Sequence, residues 1–181
     1  LECLRCQRQI HHKVNNEPVP GEDLSLENFS KLTNFYRNIS FCGQLSDPIH
    51  HPDFLKFLSL CYDKKITVKV HTASSFKTKE WFVKAWKANP YATWVFGIDG
   101  LPEQSNIYRV NQDGEKLFKI MIESKKYLKT KPIWQFILFS YNEDYLDSAI
   151  EMAKNEGVEF LVKNSGRWDS LEDWLIPTVK K

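Results

Sequence analysis

The apolar positions of this chain alternate between two spacings, and the alternation repeats. Short runs at Asn38 to Cys42, Ile66 to His71, Thr93 to Ile98, Ile133 to Phe139 and Val158 to Val162 are rich in β-branched and aromatic residues and read as strands. Between them, apolar residues fall on one helical face. Asp53 to Tyr62 carries Phe54, Leu55, Phe57, Leu58 and Cys61 this way, and Lys77 to Lys87 carries Trp81, Phe82, Ala85 and Trp86. Gly114 to Leu128 presents Leu117, Phe118, Ile120, Met121 and Ile122, and Glu143 to Glu156 forms a further helix stopped by Gly157. Upstream, residues 7 to 36 are polar and mixed. They hold His11, His12 and a turn cluster from Pro18 to Gly21, then Leu24, Leu26, Phe29 and Leu32 at helical spacing, which predicts a loop leading into a helix.

Strands alternating with helices through short turns imply parallel pairing, because each helix returns the chain to the same end of the sheet. An open doubly wound sheet and a (βα) barrel both satisfy this. The glycine-rich first turn G-x-G-x-x-G of dinucleotide-binding sheets follows none of these strands. Each strand ends instead in a polar or glycine-containing cluster: Gly43-Gln44, Thr72 to Ser75, Asp99-Gly100, Ser140 to Asn142, and Lys163 to Ser165. The C-terminal ends of consecutive parallel strands converge on one face, which in barrels is the active face.

With 181 residues, 42% of them hydrophobic and 14% aromatic, the chain can bury one core and is expected to form one domain. Its 25 basic and 23 acidic residues leave a formal charge of +2, so no long-range positive field favours nucleic acid and no acidic surplus favours disorder. No apolar run approaches the roughly 20 residues of a membrane helix, and no targeting segment is recognisable. A soluble, cytoplasmic protein with neither nucleic acid nor membrane as partner is expected. Four cysteines are too sparse for a disulfide scaffold, and a reducing compartment favours metal-binding or catalytic thiols.

Cys3 and Cys6 supply two thiols from one tight loop, the arrangement shared by zinc sites, iron–sulfur sites and redox dithiols. A redox dithiol normally follows a strand and opens a helix; here Leu4-Arg5 and the polar Gln7-Arg8-Gln9 surround the pair. A structural zinc site needs two more ligands, and the nearest candidates, His11 and His12, are adjacent rather than spaced. The strand-end clusters have plain structural readings as well. Gly43 to Pro48 can form a turn before a helix, Ser74 or Ser75 can cap the next helix, and Asp99-Gly100 can be an ordinary turn.

Taken together, the order and spacing of these clusters resemble the radical S-adenosylmethionine (SAM) superfamily, over most of the chain from Cys3 to about Arg167. The hallmark of that superfamily is Cys-x-x-x-Cys-x-x-Cys, which holds a [4Fe–4S] cluster and leaves one iron open for SAM. Leu1 to Cys6 matches its last two cysteines, so the resemblance makes Cys3 and Cys6 cluster ligands and implies a third ligand two residues before Leu1. The fold implied is α/β, a partial (βα)6 TIM-type barrel of parallel strands whose first strand is missing from this chain. Residues 1–6 would be the end of the cluster-binding loop and 38–165 the βα repeats.

Further correspondences follow strand by strand. Phe41 to Pro48, with His51 to Phe54, is similar to the second-strand segment that meets the SAM amino group, which implicates Gly43, Gln44 and Asp47. Val70 to Ser74 resembles the third-strand segment. Phe96 to Gly100 resembles a fourth-strand S-I/L-D-G, with Gly97 where serine is usual, and Arg109 matches an arginine that pairs with the SAM carboxylate. Thr72, Ser74, Asp99 and Arg109 would thus meet the ribose and carboxylate, and Asn142, at a fifth-strand end, would lie near SAM. Cys42 has no counterpart in the cluster motif, and Cys61 reads as a small buried residue.

The activity implied is reductive cleavage of SAM to methionine and a 5′-deoxyadenosyl radical, which abstracts hydrogen from a small-molecule or peptide substrate. A flavodoxin or ferredoxin would supply the electron. The rival expectations are a non-catalytic barrel-like scaffold with a degenerate SAM site, and a zinc-binding module.

Overall fold

The computed structural model describes residues 1–17, 21–43 and 46–178. Gln44, and the Pro18 to Pro20 part of the expected turn cluster, lie outside the described residues. Five strands form one parallel sheet: β1 (Asn38–Phe41), β2 (Thr67–Thr72), β3 (Thr93–Gly97), β4 (Ile133–Leu138) and β5 (Glu159–Asn164). Their spatial order is β1-β2-β3-β4-β5, the order of the chain. A doubly wound sheet reverses direction at a switch point. No such reversal occurs among these strands, and a sequential order of this kind is the one a partial barrel has.

Six helices accompany the strands. They are α1 (Gln7–Asn15), α2 (Leu26–Leu32), α3 (Phe54–Asp63), α4 (Lys79–Ala88), α5 (Gly114–Ser124) and α6 (Leu146–Glu156). Local chemistry fixes several of their ends. Ser25, Thr78 and Asp113 side chains accept the N–H of Asn28, Trp81 and Lys116, satisfying donors that the first helical turn leaves unpaired. Helix α6 ends at Gly157, as the pattern predicts.

Two expectations need correction. Residues 7 to 15, read as loop, form α1. The periodicity gave no warning because the apolar side chains of this helix, Ile10 and Val14, are both exposed and pack no core face. Helix α5 stops at Ser124 rather than Leu128, where the Ser124 hydroxyl turns back onto the Met121 carbonyl and the chain enters a turn.

The period-2 alternation of the strands sorts their side chains to two faces. Val68 and Val70, Trp94 and Phe96, and Trp134, Phe136 and Leu138 pack in one cluster with Phe54, Leu58, Phe82, Trp86, Leu117 and Ala149 of the helices. The helices therefore cover one face of the sheet. The opposite parity carries Ser40, Lys69, His71, Val95, Gly97, Gln135, Ile137 and Lys163. On a closed barrel this would be the interior. His71 on β2 and Lys163 on β5, three strands apart, line one cavity, as the uncovered face of a curled sheet would bring them to do.

A second, smaller cluster sits beside that face. Tyr108, Phe139 and Leu175 form its centre, with Cys3, Leu4, Ile137, Tyr141 and Trp168 against them. It joins the first residues of the chain to the last described ones. Arg5 completes the joint: its Nε lies 2.9 Å from Asp173 Oδ2 and its Nη2 3.1 Å from Asp169 Oδ2.

Candidate functional site

The tips of β1 to β3, the concave residues of β3 to β5 and the cysteine loop surround a cavity of about 530 Å³. Cys3 and Cys6 line it, as do Gly43, Asp47, Thr72, Ser74 and Arg109. The sequence scattered these residues over more than a hundred positions; the sequential sheet brings them to one end. Asp99 and Asn142 are not in the lining. Both are fully buried behind it.

The cysteine loop is a tight turn, the Cys6 N–H reaching the Cys3 carbonyl at 3.1 Å, and it is held against the segment after β3 by Glu2 N–H to Val110 O at 3.0 Å and Leu4 N–H to Tyr108 O at 3.2 Å. Burial pushes the Cys3 thiol above its ordinary pKa, and the Arg109 guanidinium opposes this. Cys42, unassigned by the motif, lines the same cavity from the end of β1. Among the described residues no three metal-ligating side chains are grouped closely enough to hold a metal ion. Three soft thiols, Cys3, Cys6 and Cys42, face the open polar cavity, and the pair from the tight loop fits an iron–sulfur cluster that draws a further ligand from elsewhere.

Asp47 organises the tip of β2. Its Oδ2 accepts the Thr72 hydroxyl at 2.9 Å and the N–H groups of Ala73 and Ser74 at 2.8 and 3.0 Å, while Oδ1 accepts Ile49 N–H at 3.3 Å. Ser74 Oγ lies 2.9 Å from His50 Nε2. The hydroxyls of Thr72 and Ser74 are therefore already engaged in shaping the wall. Gly43 is needed here for space: a Cβ would stand 2.2 Å from the Ser46 carbonyl oxygen.

Beneath the floor lies a buried polar network. Arg109 Nε stands 2.7 Å from Asp99 Oδ2 without an aligned hydrogen bond, so charge rather than direction holds the pair. Asp99 Oδ1 accepts Ile137 N–H at 2.8 Å, its backbone N–H donates to Ser105 Oγ at 2.9 Å, and its carbonyl accepts the Tyr141 hydroxyl at 2.8 Å. Ser105 donates in turn to Gln112, whose amide donates to Ala73 O at 2.6 Å and Gly97 O at 2.9 Å. Burial disfavours the Arg109 charge, but Asp99 and Cys3 outweigh it, and Arg109 stays firmly cationic. Asn142 belongs to this scaffold: its side chain accepts Phe139 N–H at 2.8 Å and donates to Ile137 O at 3.0 Å, folding the end of β4.

Gly97 explains itself by the same arginine. A Cβ there would stand 2.8 Å from Arg109 Nη2 and 3.1 Å from Cζ. The residue that departs from the serine of the resembled motif is the one that makes room for the guanidinium. The sequence reading also missed His50, His71, Gln135, Lys163 and Arg167 in the lining. The available signal for three of them was parity: His71, Gln135 and Lys163 are polar at the concave positions of strands otherwise rich in apolar residues. Burial, with Lys69 and Lys163 nearby, lowers the His71 pKa, and burial lowers that of His50, partly offset by Asp47.

A sequential parallel sheet with helices on one face and a cysteine-lined cavity at its strand tips defines an α/β fold of parallel βα repeats. Among solved structures the chain is similar to SuiB of Streptococcus suis, a radical SAM enzyme. SuiB bound to S-adenosylmethionine matches with a TM-score of 0.69 and 14% identity, over 90% of this chain and 38% of that one. SuiB bound to its precursor peptide SuiA matches at 0.68 and 15%, over 83% and 34%, and SuiB alone at 0.66 and 16%, over 92% and 37%. The likeness is one of fold, and the chain spans a little over a third of the SuiB chains. No family model and no curated protein matches the sequence.

Proposed function

We propose that this chain is the core of a radical SAM enzyme that binds a [4Fe–4S] cluster and S-adenosylmethionine and abstracts hydrogen from a substrate. The observation that carries this reading is the meeting of Cys3 and Cys6 with Gly43, the β2 tip and Arg109 around one cavity. Cys3 and Cys6 would ligate the cluster, and the cluster with SAM would supply the reductive cleavage that yields the 5′-deoxyadenosyl radical. The chain's own residues do the rest. Arg109, fixed at Nε by Asp99, offers its two Nη groups as a planar fork for a carboxylate. Asp47 holds the Ala73 and Ser74 backbone so that the β2 tip keeps one shape as ligands come and go. Cys3 and Leu4 of the cysteine loop lie against the aromatic cluster of Tyr108, Phe139 and Trp168, which shields one side of the Cys3 thiol from water.

The core would comprise residues 1–181, with 1–6 ending the cluster loop and 38–165 forming the βα repeats. Gly43, Gln44, Asp47, Thr72, Ser74 and Arg109 would surround SAM, with Asp99 and Asn142 acting from behind as supports. A peptide substrate is favoured by the SuiB structure that holds its precursor peptide. A flavodoxin or ferredoxin as reductant and a cytoplasmic location complete the reading; no helix among the described residues is long and apolar enough to cross a membrane.

The test is anaerobic iron–sulfur reconstitution of the full-length protein. A visible charge-transfer absorbance, and 5′-deoxyadenosine released on reduction with SAM, are expected, and Cys3→Ser or Cys6→Ser abolishes both. A colourless protein that takes up zinc and does not bind SAM overturns the proposal.

A further inference from the structure

The reading above leaves two cations in the cavity without a task. Four basic side chains line it, Arg8, Arg109, Lys163 and Arg167, against one carboxylate, Asp47, whose oxygens are already taken by four donors. The whole chain is nearly balanced, with 25 basic and 23 acidic residues, so the excess is local and does not follow from composition. Arg109 is committed to Asp99, and Arg8 donates to the Leu1 carbonyl at 2.6 Å. Lys163 and Arg167 take part in no salt bridge among the described residues.

Their placement is specific. Lys163 sits at a concave position of β5, in register with Ile137 of β4, and Arg167 follows three residues after the strand ends. Lys163 also acts electrostatically on His71 across the cavity, and Arg167 on Tyr108 beside the cysteine loop. Both line the cavity with Arg8 and Arg109. A lysine and an arginine facing a partly enclosed cavity, without carboxylate partners, make a binding site for an oxyanion.

We propose that Lys163 and Arg167 form an oxyanion-binding pair that recognises a carboxylate or phosphate on the substrate. This deepens the proposed function and rests on it for the word substrate. The pair stands on the strand farthest from β1 in the sheet, whereas the SAM-directed residues Gly43, Thr72, Ser74 and Arg109 come from the tips of β1 and β2 and the segment after β3. The two ligands thus divide the cavity, SAM toward the β1 side and the substrate anion toward β5.

The experiment measures binding of succinate, of inorganic phosphate and of SAM to the full-length protein by calorimetry, in the wild type, Lys163→Gln, Arg167→Gln and the double variant. Both positions are exposed, so the variants keep the fold. Lys84→Gln, an exposed lysine on helix α4 outside the lining, controls for net charge. Succinate or phosphate is expected to bind the wild type, and the double variant to weaken that binding about tenfold or more with SAM affinity unchanged within about twofold. Preference for succinate identifies a carboxylate and preference for phosphate a phosphoryl group; either supports the pair. No anion binding in the wild type, an equal loss in Lys84→Gln, or a parallel loss of SAM binding overturns it. If the wild type binds no SAM while the anion result holds, the oxyanion pair stands and the radical SAM reading is what fails.

Discussion

Replacing Gly97 by alanine tests whether the cavity floor was shaped around Arg109. The backbone at Gly97 is ordinary strand, so an added methyl probes space alone. That methyl would lie 2.8 Å from Nη2, 3.1 Å from Cζ and 3.5 Å from the Ala73 Cβ. Ordinary contact between such atoms begins near 3.4 Å, so the guanidinium must retreat by about half an ångström. A free arginine tip would do this at little cost, but here the Nε is held 2.7 Å from the fully buried Asp99 carboxylate. Stretching a buried pair costs part of the roughly 3–5 kcal/mol lost on removing one partner, and overpacking alone costs about 1–3 kcal/mol. We expect Gly97→Ala to destabilise by about 1–3 kcal/mol, which for a chain of this size lowers Tm by roughly 3–10 °C. Thermal and urea melts of Gly97→Ala should be compared in the wild-type and Arg109→Lys backgrounds, since lysine keeps a charge for Asp99 but removes Nη2. In the lysine background the alanine should cost less than about 0.5 kcal/mol. An equal cost in both backgrounds, or a cost below that level in the wild type, refutes the claim that glycine is there for the arginine.

Four further outcomes are expected. Asp47→Ala leaves three donors at the β2 tip and one at Ile49 unpaired and should cost about 2–3 kcal/mol in chemical denaturation, with Asp47→Asn milder because one oxygen remains. The Arg5 hydrogen bond holds the Asp173 carboxyl down at about 2, below its ordinary value, so its contribution is present above about pH 4 and is lost as pH falls through about 2. The Tm difference between wild type and Asp173→Asn should therefore be largest near neutrality and shrink toward pH 2. Asn142→Ala should destabilise by about 1–3 kcal/mol through the freed Phe139 N–H and Ile137 carbonyl, while SAM affinity in calorimetry changes little. Under iodoacetamide, exposed Cys42 should alkylate fast and Cys61 last, since burial raises the Cys61 thiol to about 11; early loss of Cys61 in peptide mapping would contradict its burial.

The strands were legible because their sequence carries both halves of the signal. Thr67 to Thr72 alternates exposed and buried without a break, and Trp94, Phe96, Trp134 and Phe136 mark the helix-covered face. Helix α1 was not legible, since its two apolar residues, Ile10 and Val14, are exposed and too few to mark a core-facing side. Within the site, residues carried by short motifs, Cys3, Cys6, Gly43, Thr72 and Arg109, line one cavity. Asp99 and Asn142 were correctly placed near the strand ends but act beneath the floor, a depth that spacing along the chain does not encode. Arg167 and Gln112 depend on which side of a turn points inward across the sheet, and the clasp of Arg5 to Asp173 joins residues 168 positions apart. Neither kind of relation has a local sequence signature.

Because the strands line up in the order in which they are synthesised, each one finds its partner already made. The sheet can grow from one edge as the polypeptide leaves the ribosome, with no strand waiting for a distant mate. The cavity obeys the opposite rule. The loop that carries its cysteines is clasped through Arg5 by Asp169 and Asp173, which emerge after all five strands, so the sheet is finished before the clasp on the pocket it serves. A nascent chain halted after β4 would hold most of a sheet and none of the lock on its thiols.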